Sequence, residues 1–219
     1  MRLRIYQIDR EKDPNRMKFK KFDDIDKVSP SMYHKVFDAE ADVTGLEDAF
    51  MLFNTTDPHP LFNGHSMSVS DVVVTDEGAF YCDSIGFKKT DFDETQVDTK
   101  DLIKVLFVEP HKEPYQAEIP DTLEAKQQAV GGYIEYVYNE DETALVCDEE
   151  GKLKGKEGNR YLDYGGIVAG SFLVVGLGDE DCRSLTDEEI SKYSDKYSNP
   201  PEISQEETDA DIGITMISM

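Results

Sequence analysis

The chain has no tryptophan, three cysteines, four histidines and few basic residues, with 23 Lys and Arg against 47 Asp and Glu. The resulting formal charge of −24 opposes direct binding to nucleic acid, where Lys and Arg neutralise phosphates, and docking to an anionic membrane surface. No apolar run approaches the roughly 18 residues of a membrane span, and the first residues lack the apolar region of a signal peptide. An odd, scattered set of cysteines is typical of reduced thiols, so we predict a cytoplasmic protein.

What is present suffices for a folded protein of two domains. Hydrophobic types make up 38% of the 219 residues, which is enough for packed cores, and the length accommodates two domains of about a hundred residues each. The polar, aperiodic stretch 91–100 separates two segments that each begin with a strand-like run. We therefore predict an α+β fold of two small subdomains with mixed or antiparallel sheets, at 1–95 and 100–200. A short polar linker joins them.

The charge is unevenly distributed along the chain. Residues 1–21 carry eight basic and three acidic side chains, whereas residues 179–211 carry twelve acidic and three basic ones. Acidic stretches of this kind are usually solvated, so we predict an acidic or poorly ordered tail at 201–219.

Local patterns predict the individual elements. Apolar alternation or apolar runs predict strands at 3–8, 69–75, 79–87, 102–108, 133–138, 144–147 and 167–176. Helical spacing and capping residues predict helices at 29–37, 46–53, 122–130 and 186–193. Glycine adopts the left-handed conformation readily, so Gly131 or Gly132 is expected to close the third of these helices.

The residue patterns of known catalytic and cofactor sites are missing. The glycine-rich stretches have no lysine placed to reach a phosphate, and the four histidines are too dispersed for a zinc motif. Cys82 and Cys147 lie inside predicted strands, where a cysteine is typically a small packed residue. We therefore predict no catalytic residue, no metal and no cofactor, and a protein that is not an enzyme.

Two polar groups are candidates for binding. Ser66, Ser68 and Ser70 alternate along a predicted strand next to His65 and Asp71, which could form a hydrogen-bonding surface or an ordinary solvated strand face.

The second group is Asn159-Arg160, in a glycine-rich connection between predicted strands. The arginine offers a rigid fork for a carboxylate or phosphate ligand, or has a structural role paired with one of the many acids.

Several motifs resemble known families. The stretches 6–13, 64–73 and 78–87 resemble the YodL-like domain. The stretches 102–108, 130–135, 148–153, 158–160 and 167–176 are similar to an uncharacterised domain family that commonly accompanies it. That companion family often has a proline in the approach to its Asn-Arg pair, where this chain has Lys156-Glu157-Gly158. The resemblance implies an origin in phages, plasmids and conjugative elements of Firmicutes, and it brings no established activity or catalytic residue.

We therefore expect a non-catalytic interaction protein of a phage or mobile element, which counters host defence through an acidic surface that imitates DNA. Its expected partner is a host protein, such as a nucleic-acid-binding defence factor. The candidate surface is built by acids around one predicted hairpin: Glu135, Glu140, Asp141, Glu142, Asp148, Glu149 and Glu150. The alternatives are that the charge mainly confers solubility, or that the chain is a small-molecule or nucleotide-binding module that uses the serine face or Asn159-Arg160.

Overall fold

The computed structural model describes residues 1–14 and 16–217 and divides the chain into unit 1 (1–101) and unit 2 (102–219). Both units combine antiparallel sheets with helices, so the predicted α+β class is confirmed. Unit 1 contains β1 (Arg2–Ile8), β2 (Tyr33–Glu40), α1 (Leu46–Leu52), β3 (Val72–Thr75), β4 (Gly78–Cys82) and β5 (Phe87–Thr90). Its five strands form one sheet in the order β2-β1-β3-β4-β5.

Aromatic and β-branched residues build the core of unit 1. One cluster of buried residues joins Tyr6 of β1 to Tyr33, Val72 and Tyr81 on the neighbouring strands. The strand predicted at 3–8 is confirmed as β1, but burial alternates only from Arg2 to Ile5, and Ile5 to Ile8 are all buried. The helix predicted at 29–37 is wrong, because a single 3-10 turn at Pro30–Met32 leads directly into β2. The Ser-Pro helix start is overridden there by strand-favouring residues and by a ladder of seven residue pairs with β1.

Most of the predicted linker belongs to unit 1. The ring of Phe92 lies 4.9 Å from that of Tyr6, whose hydroxyl donates a hydrogen bond to Glu94. Val97 is buried in the same core. The stretch before unit 2 in which every residue is exposed is therefore only 98–101.

Unit 2 is built on a larger sheet. Its strands are β6 (Leu102–Val108), β7 (Tyr115–Pro120), β8 (Ile134–Tyr138), β9 (Thr143–Asp148), β10 (Gly158–Tyr161), β11 (Ile167–Ala169), β12 (Phe172–Leu177) and β13 (Cys182–Arg183). Its helices are α2 (Leu123–Val130), α3 (Asp187–Tyr197) and α4 (Gln205–Ile217). The main sheet has the order β7-β6-β12-β9-β8 with β13 beside β12, and β10 and β11 form a separate pair.

Helix α3 covers one face of this sheet, where Tyr193 and Tyr197 join a buried cluster with Leu106 and Val174. The alternate residues Val105, Phe107 and Val146 are buried on the opposite face, because successive strand residues point to opposite sides. Helix α2 contacts four strands of the same sheet.

The segment predicted as an acidic or poorly ordered tail contains α4. Ile203, Thr208 and Asp211 are buried, and the Asp211 carboxylate accepts hydrogen bonds from Lys152 and from the main-chain N–H of Ile167 at 2.9 Å. The last two residues of the predicted tail, 218–219, lie outside the described part of the chain.

Candidate functional site

The predicted serine row does not lie on a strand. Strand β3 begins at Val72, and residues 64–71 are irregular, so the prediction that Ser66, Ser68 and Ser70 share one sheet face is wrong. Ser70 has a positive φ of 85°, and its N–H donates to the carbonyl of Cys82 at 3.0 Å. This turn takes the chain out of the alternation of a strand.

A buried polar cluster forms instead, centred on Asp71 and Gln7. Both side chains are fully buried. Asp71 Oδ2 accepts from Gln7 Nε2 at 3.0 Å and from the main-chain N–H of Ser68 at 2.9 Å. Gln7 also clamps the backbone of His65, donating to its carbonyl at 2.7 Å and accepting from its N–H at 3.0 Å. Strand β1 thereby holds the irregular loop in place.

The carboxyl group of Asp71 has an unusually high pKa for an aspartate. Burial raises the pKa of its carboxyl to about 7, because the hydrogen bonds from Ser68 and Gln7 offset only part of the desolvation. Among the described residues, Asp71 Oδ1 and Ser68 Oγ are buried without a hydrogen-bond partner. The cluster therefore leaves two polar atoms unsatisfied, which is uncommon for buried groups.

His65 lies above the cluster and is exposed. Its Nδ1 lies 2.8 Å from the Ser66 carbonyl, and its Nε2 lies 2.8 Å from Lys18 Nζ. A carbonyl only accepts and an ammonium only donates, so Nδ1 carries the proton and Nε2 accepts from Lys18. The main-chain N–H of Phe19 donates to Ser70 Oγ at 3.1 Å, which brings this basic segment onto the same loop.

The structure therefore brings His65, Ser68, Ser70 and Asp71 together, while the side chain of Ser66 is exposed. Sequence reasoning missed Gln7 and Lys18. Gln7 did carry a signal, because it follows Leu3 and Ile5 at alternate positions and so occupies a core-facing site with a polar side chain.

The Asn159-Arg160 pair is also buried, on β10. Asn159 Nδ2 donates to the carbonyls of Val108 (3.0 Å) and Gly170 (2.8 Å). Arg160 Nη2 donates to the carbonyls of Tyr197, at the end of α3, and Lys112, at 2.7 and 2.8 Å. Arg160 Nη1 donates to the side-chain Oδ1 of Asn159 at 2.6 Å and to its carbonyl at 3.0 Å. Burial lowers the pKa of the guanidinium. Its hydrogen-bond partners are carbonyl and amide oxygens, whereas the structural role considered from the sequence was a pairing with an acid. Arg160 thereby links β10 to the C-terminal end of α3 by hydrogen bonds.

Two of the seven candidate acids, the buried Asp148 and the half-buried Asp141, are neutralised within unit 2, and the exposed Glu150 forms a third ion pair, 3.5 Å from Lys154. The Asp148 side chain is fully buried and lies 3.0 Å from Lys154 and 2.6 Å from Lys156. Asp141 accepts from Lys192 at 2.6 Å. Burial alone would raise the pKa of Asp141, but the hydrogen bonds, led by that from Lys192, outweigh it and lower the pKa to about 2.

The other five acids are exposed on the β8–β9 hairpin. The ladder runs from the pair Tyr138–Ala144 to the pair Ile134–Asp148, four residue steps or about 14 Å along the strands. Glu140 and Glu142 lie beyond the first end and Glu149 and Glu150 beyond the second. Two exposed tyrosines lie at the ends of β8, Tyr133 just before it and Tyr138 as its last residue. We call the set the hairpin surface: Tyr133, Glu135, Tyr138, Glu140, Glu142, Glu149 and Glu150.

The described residues offer little for other types of site. No three His, Cys, Asp or Glu side chains come together there as a possible metal site, and no described helix is long and apolar enough to cross a membrane. A cavity of about 500 Å³ in unit 1 has a mixed lining, and none of the predicted site residues lines it. Its apolar side is formed by Phe22, Ile25 and Val28, and its polar side by Asp26, Lys27, Lys89, Thr90 and Asp91.

Comparison with protein families matches each half of the chain separately. The YodL-like domain matches residues 2–92, and a domain of unknown function, DUF3846, matches residues 103–198. No curated protein and no solved structure matched. The buried Asp71 cluster thus lies in the first matched region, and the Asn159-Arg160 pair and the hairpin surface lie in the second. The chain is a YodL-like domain followed by a DUF3846 domain.

Proposed function

We propose that this is a non-catalytic interaction protein whose DUF3846 domain binds a basic partner through the hairpin surface. The proposed setting is the cytoplasm of a bacterium that carries a phage or other mobile element. The proposed partner is a host protein with a basic nucleic-acid-binding site, such as a defence factor.

The observation that carries the proposal is the contrast between paired and unpaired acids on one hairpin. Among the described residues, Glu135, Glu140, Glu142 and Glu149 have no ion pair, whereas the neighbouring Asp148 is saturated by two lysines. Unit 2 has ten basic and 26 acidic side chains, so its few cations are already used internally while this surface stays negative.

Such a surface suits a basic site for electrostatic reasons. Carboxylates on a folded hairpin keep fixed spacings, so their fields add in one direction and steer a cationic partner toward the surface. The same field repels nucleic acid, which explains how the protein could occupy a DNA-binding site without binding DNA itself.

Capture from a host lysate on the immobilised protein, followed by stepwise elution, tests this proposal. A partner held through its nucleic-acid site should be released by duplex DNA and by rising salt, since salt screens exposed charges. Capture that neither DNA nor salt reverses would contradict the proposal.

The alternative of a small-ligand module is favoured by one observation, the unpartnered Asp71 Oδ1 and Ser68 Oγ. Asn159 and Arg160 do not favour it, because their donors already bind main-chain carbonyls. A thermal-shift screen of nucleotides and small polar metabolites decides the matter. A compound that stabilises the parent but not Asp71→Asn would support this alternative, and a screen without any such compound would reject it.

A further inference from the structure

The outer edges of the two main sheets differ in how they are protected. An edge strand exposes unpaired N–H and C=O groups, and proteins commonly blunt such edges with lysine or proline. Strand β2 contains Lys35, β5 contains Lys88 and Lys89, and β7 ends at Pro120. Strand β8, with the sequence Ile-Glu-Tyr-Val-Tyr, has neither residue.

The backbone of β8 has a defined set of outward groups. The N–H of Asn139 donates to the carbonyl of Thr143 at 3.1 Å, and the N–H of Glu149 donates to the carbonyl of Tyr133 at 2.8 Å. The odd-numbered residues of this strand therefore direct their N–H and C=O groups toward β9. In an antiparallel ladder the alternate residues direct their N–H and C=O groups away from that partner. Ile134, Tyr136 and Tyr138 therefore offer these groups at the outer edge, with which no described strand pairs.

We propose that the partner contributes an extended segment rich in lysine or arginine, which adds to the sheet as a strand beside β8. This inference rests on the proposed function and specifies the chemistry of the partner. Main-chain hydrogen bonds to Ile134, Tyr136 and Tyr138 supply the pairing, as in other complexes formed by strand addition.

Charge complementarity favours a basic segment. Glu135 is exposed within β8 itself, and Glu142 and Glu149 are exposed just before and just after β9, so carboxylates lie in the edge strand and near both ends of the hairpin. The rings of Tyr133 and Tyr138 are 67% and 64% exposed and provide faces for cation–π contacts with lysine or arginine.

The same charges disfavour a second copy of this chain. Pairing β8 with β8 would bring two sets of the exposed acids Glu135, Glu142 and Glu149 together, and like charges on adjacent strands are destabilising.

Two variants of one residue separate strand addition from simple charge attraction. Tyr138→Pro removes an outward N–H, and because that N–H is not part of the ladder with β9, the hairpin keeps its internal hydrogen bonds. Tyr138→Ala removes the same ring but keeps the N–H, so it is the matched control. Circular dichroism and the thermal midpoint establish that both variants remain folded.

The probe is a short peptide of alternating lysine and valine at millimolar concentration, with a proline-interrupted version and a glutamate–valine version as controls. Binding is followed by NMR of the full chain and by amide hydrogen exchange. We expect the lysine–valine peptide to slow exchange at the amides of Tyr136 and Tyr138. We also expect Tyr138→Pro to bind it about tenfold more weakly than Tyr138→Ala does.

Three results would overturn the inference. The first is peptide binding without protection of these amides and with equal affinity for both variants, which leaves the proposed function standing on charge alone. The second is the absence of any binding or protection. The third is a concentration-dependent dimer that Tyr138→Pro dissociates, which would make a second copy the occupant of the edge.

Discussion

At the scale of single residues, two buried polar side chains, Arg160 and Asp71, are accommodated in different ways. Arg160 places a charge in the interior and compensates it with main-chain carbonyls, including that of Tyr197 at the negative end of the α3 dipole. The charge of an ionised Asp71 is not compensated in this way. Burial raises the pKa of its carboxyl to about 7, and its Oδ1 has no hydrogen-bond partner among the described residues. Asp71 is therefore the residue whose ionisation should be most visible in solution.

Asp71→Asn should change the pH dependence of stability. In the unfolded chain an aspartate ionises near pH 4, whereas the folded carboxyl keeps its proton up to about pH 7. Folding therefore takes up a proton between these values, and the stability contributed by this group falls as pH rises through that window. Asparagine keeps an oxygen to accept from Gln7 and Ser68 but does not titrate.

The measurement is the free energy of unfolding of the parent and Asp71→Asn at several pH values. Raising the pH from 5 to 8 should shift the difference in favour of the variant by on the order of 2 kcal/mol. Parallel curves across this range would show that the buried carboxyl does not titrate there.

At the scale of elements, a helix or strand could be predicted from the sequence where interactions between nearby residues determine it. Helices α2 and α3 follow from their own sequences, because Thr122 and Thr186 cap their first turns and Glu189 completes a capping box. Strand β2 was mispredicted because its partner β1 lies 25 or more residues away along the chain.

The candidate site shows the same limit. Two strands were not predicted. Strand β7 contains polar residues and ends in proline, and β10 follows a glycine-rich stretch. The cluster around Asp71 depends on Gln7, 64 positions away, and no local pattern joins the two.

The end of α2 gives a prediction at this scale. Gly131 has a φ of 71°, and its N–H and that of Gly132 donate back to the carbonyls of the last helical turn. The space beside Gly132 is filled by the Asp148 carboxylate, so a Cβ there would collide with a buried ion pair. The two glycines are therefore required for different reasons.

Gly131→Ala should lower stability by about 1 kcal/mol through the cost of the left-handed conformation. Gly132→Ala should cost more, because Asp148 must move away from Lys156. Gly155 also has a positive φ, 67°, and no atom lies within 4 Å of the place that a Cβ would take. Gly155→Ala is therefore the control for the cost of the backbone conformation alone. Thermal unfolding of the three variants makes the comparison. A Gly132→Ala midpoint equal to that of the control would contradict the assigned role of Asp148.

At the scale of the whole molecule, each unit has its own buried core and the exposed connection is short. Domains with separate cores can fold alone. We therefore expect fragments 1–99 and 100–219 to unfold cooperatively when each is produced separately. A division at Asp42, inside unit 1, is the control and should leave no folded N-terminal fragment, because it separates β1 and β2 from β3. If fragment 1–99 or fragment 100–219 failed to fold, the two units would depend on each other for stability.

The charge of −24 is the other property of the whole molecule, and we expect its effect on binding to come from one surface, the hairpin surface. Glu142→Lys with Glu149→Lys reverses two exposed acids of the hairpin surface. Glu202→Lys with Glu206→Lys reverses two exposed acids near α4. Each Glu→Lys substitution changes the charge by two, so both double variants carry −20 and differ only in where the change lies.

The affinity of the captured partner for the parent and both double variants, measured against salt concentration, tests the central claim most directly. We predict that the hairpin variant loses about tenfold or more in affinity and shows a shallower salt dependence, and that the affinity of the control variant changes little. Equal losses in the two variants, or an affinity that does not respond to salt, would contradict it.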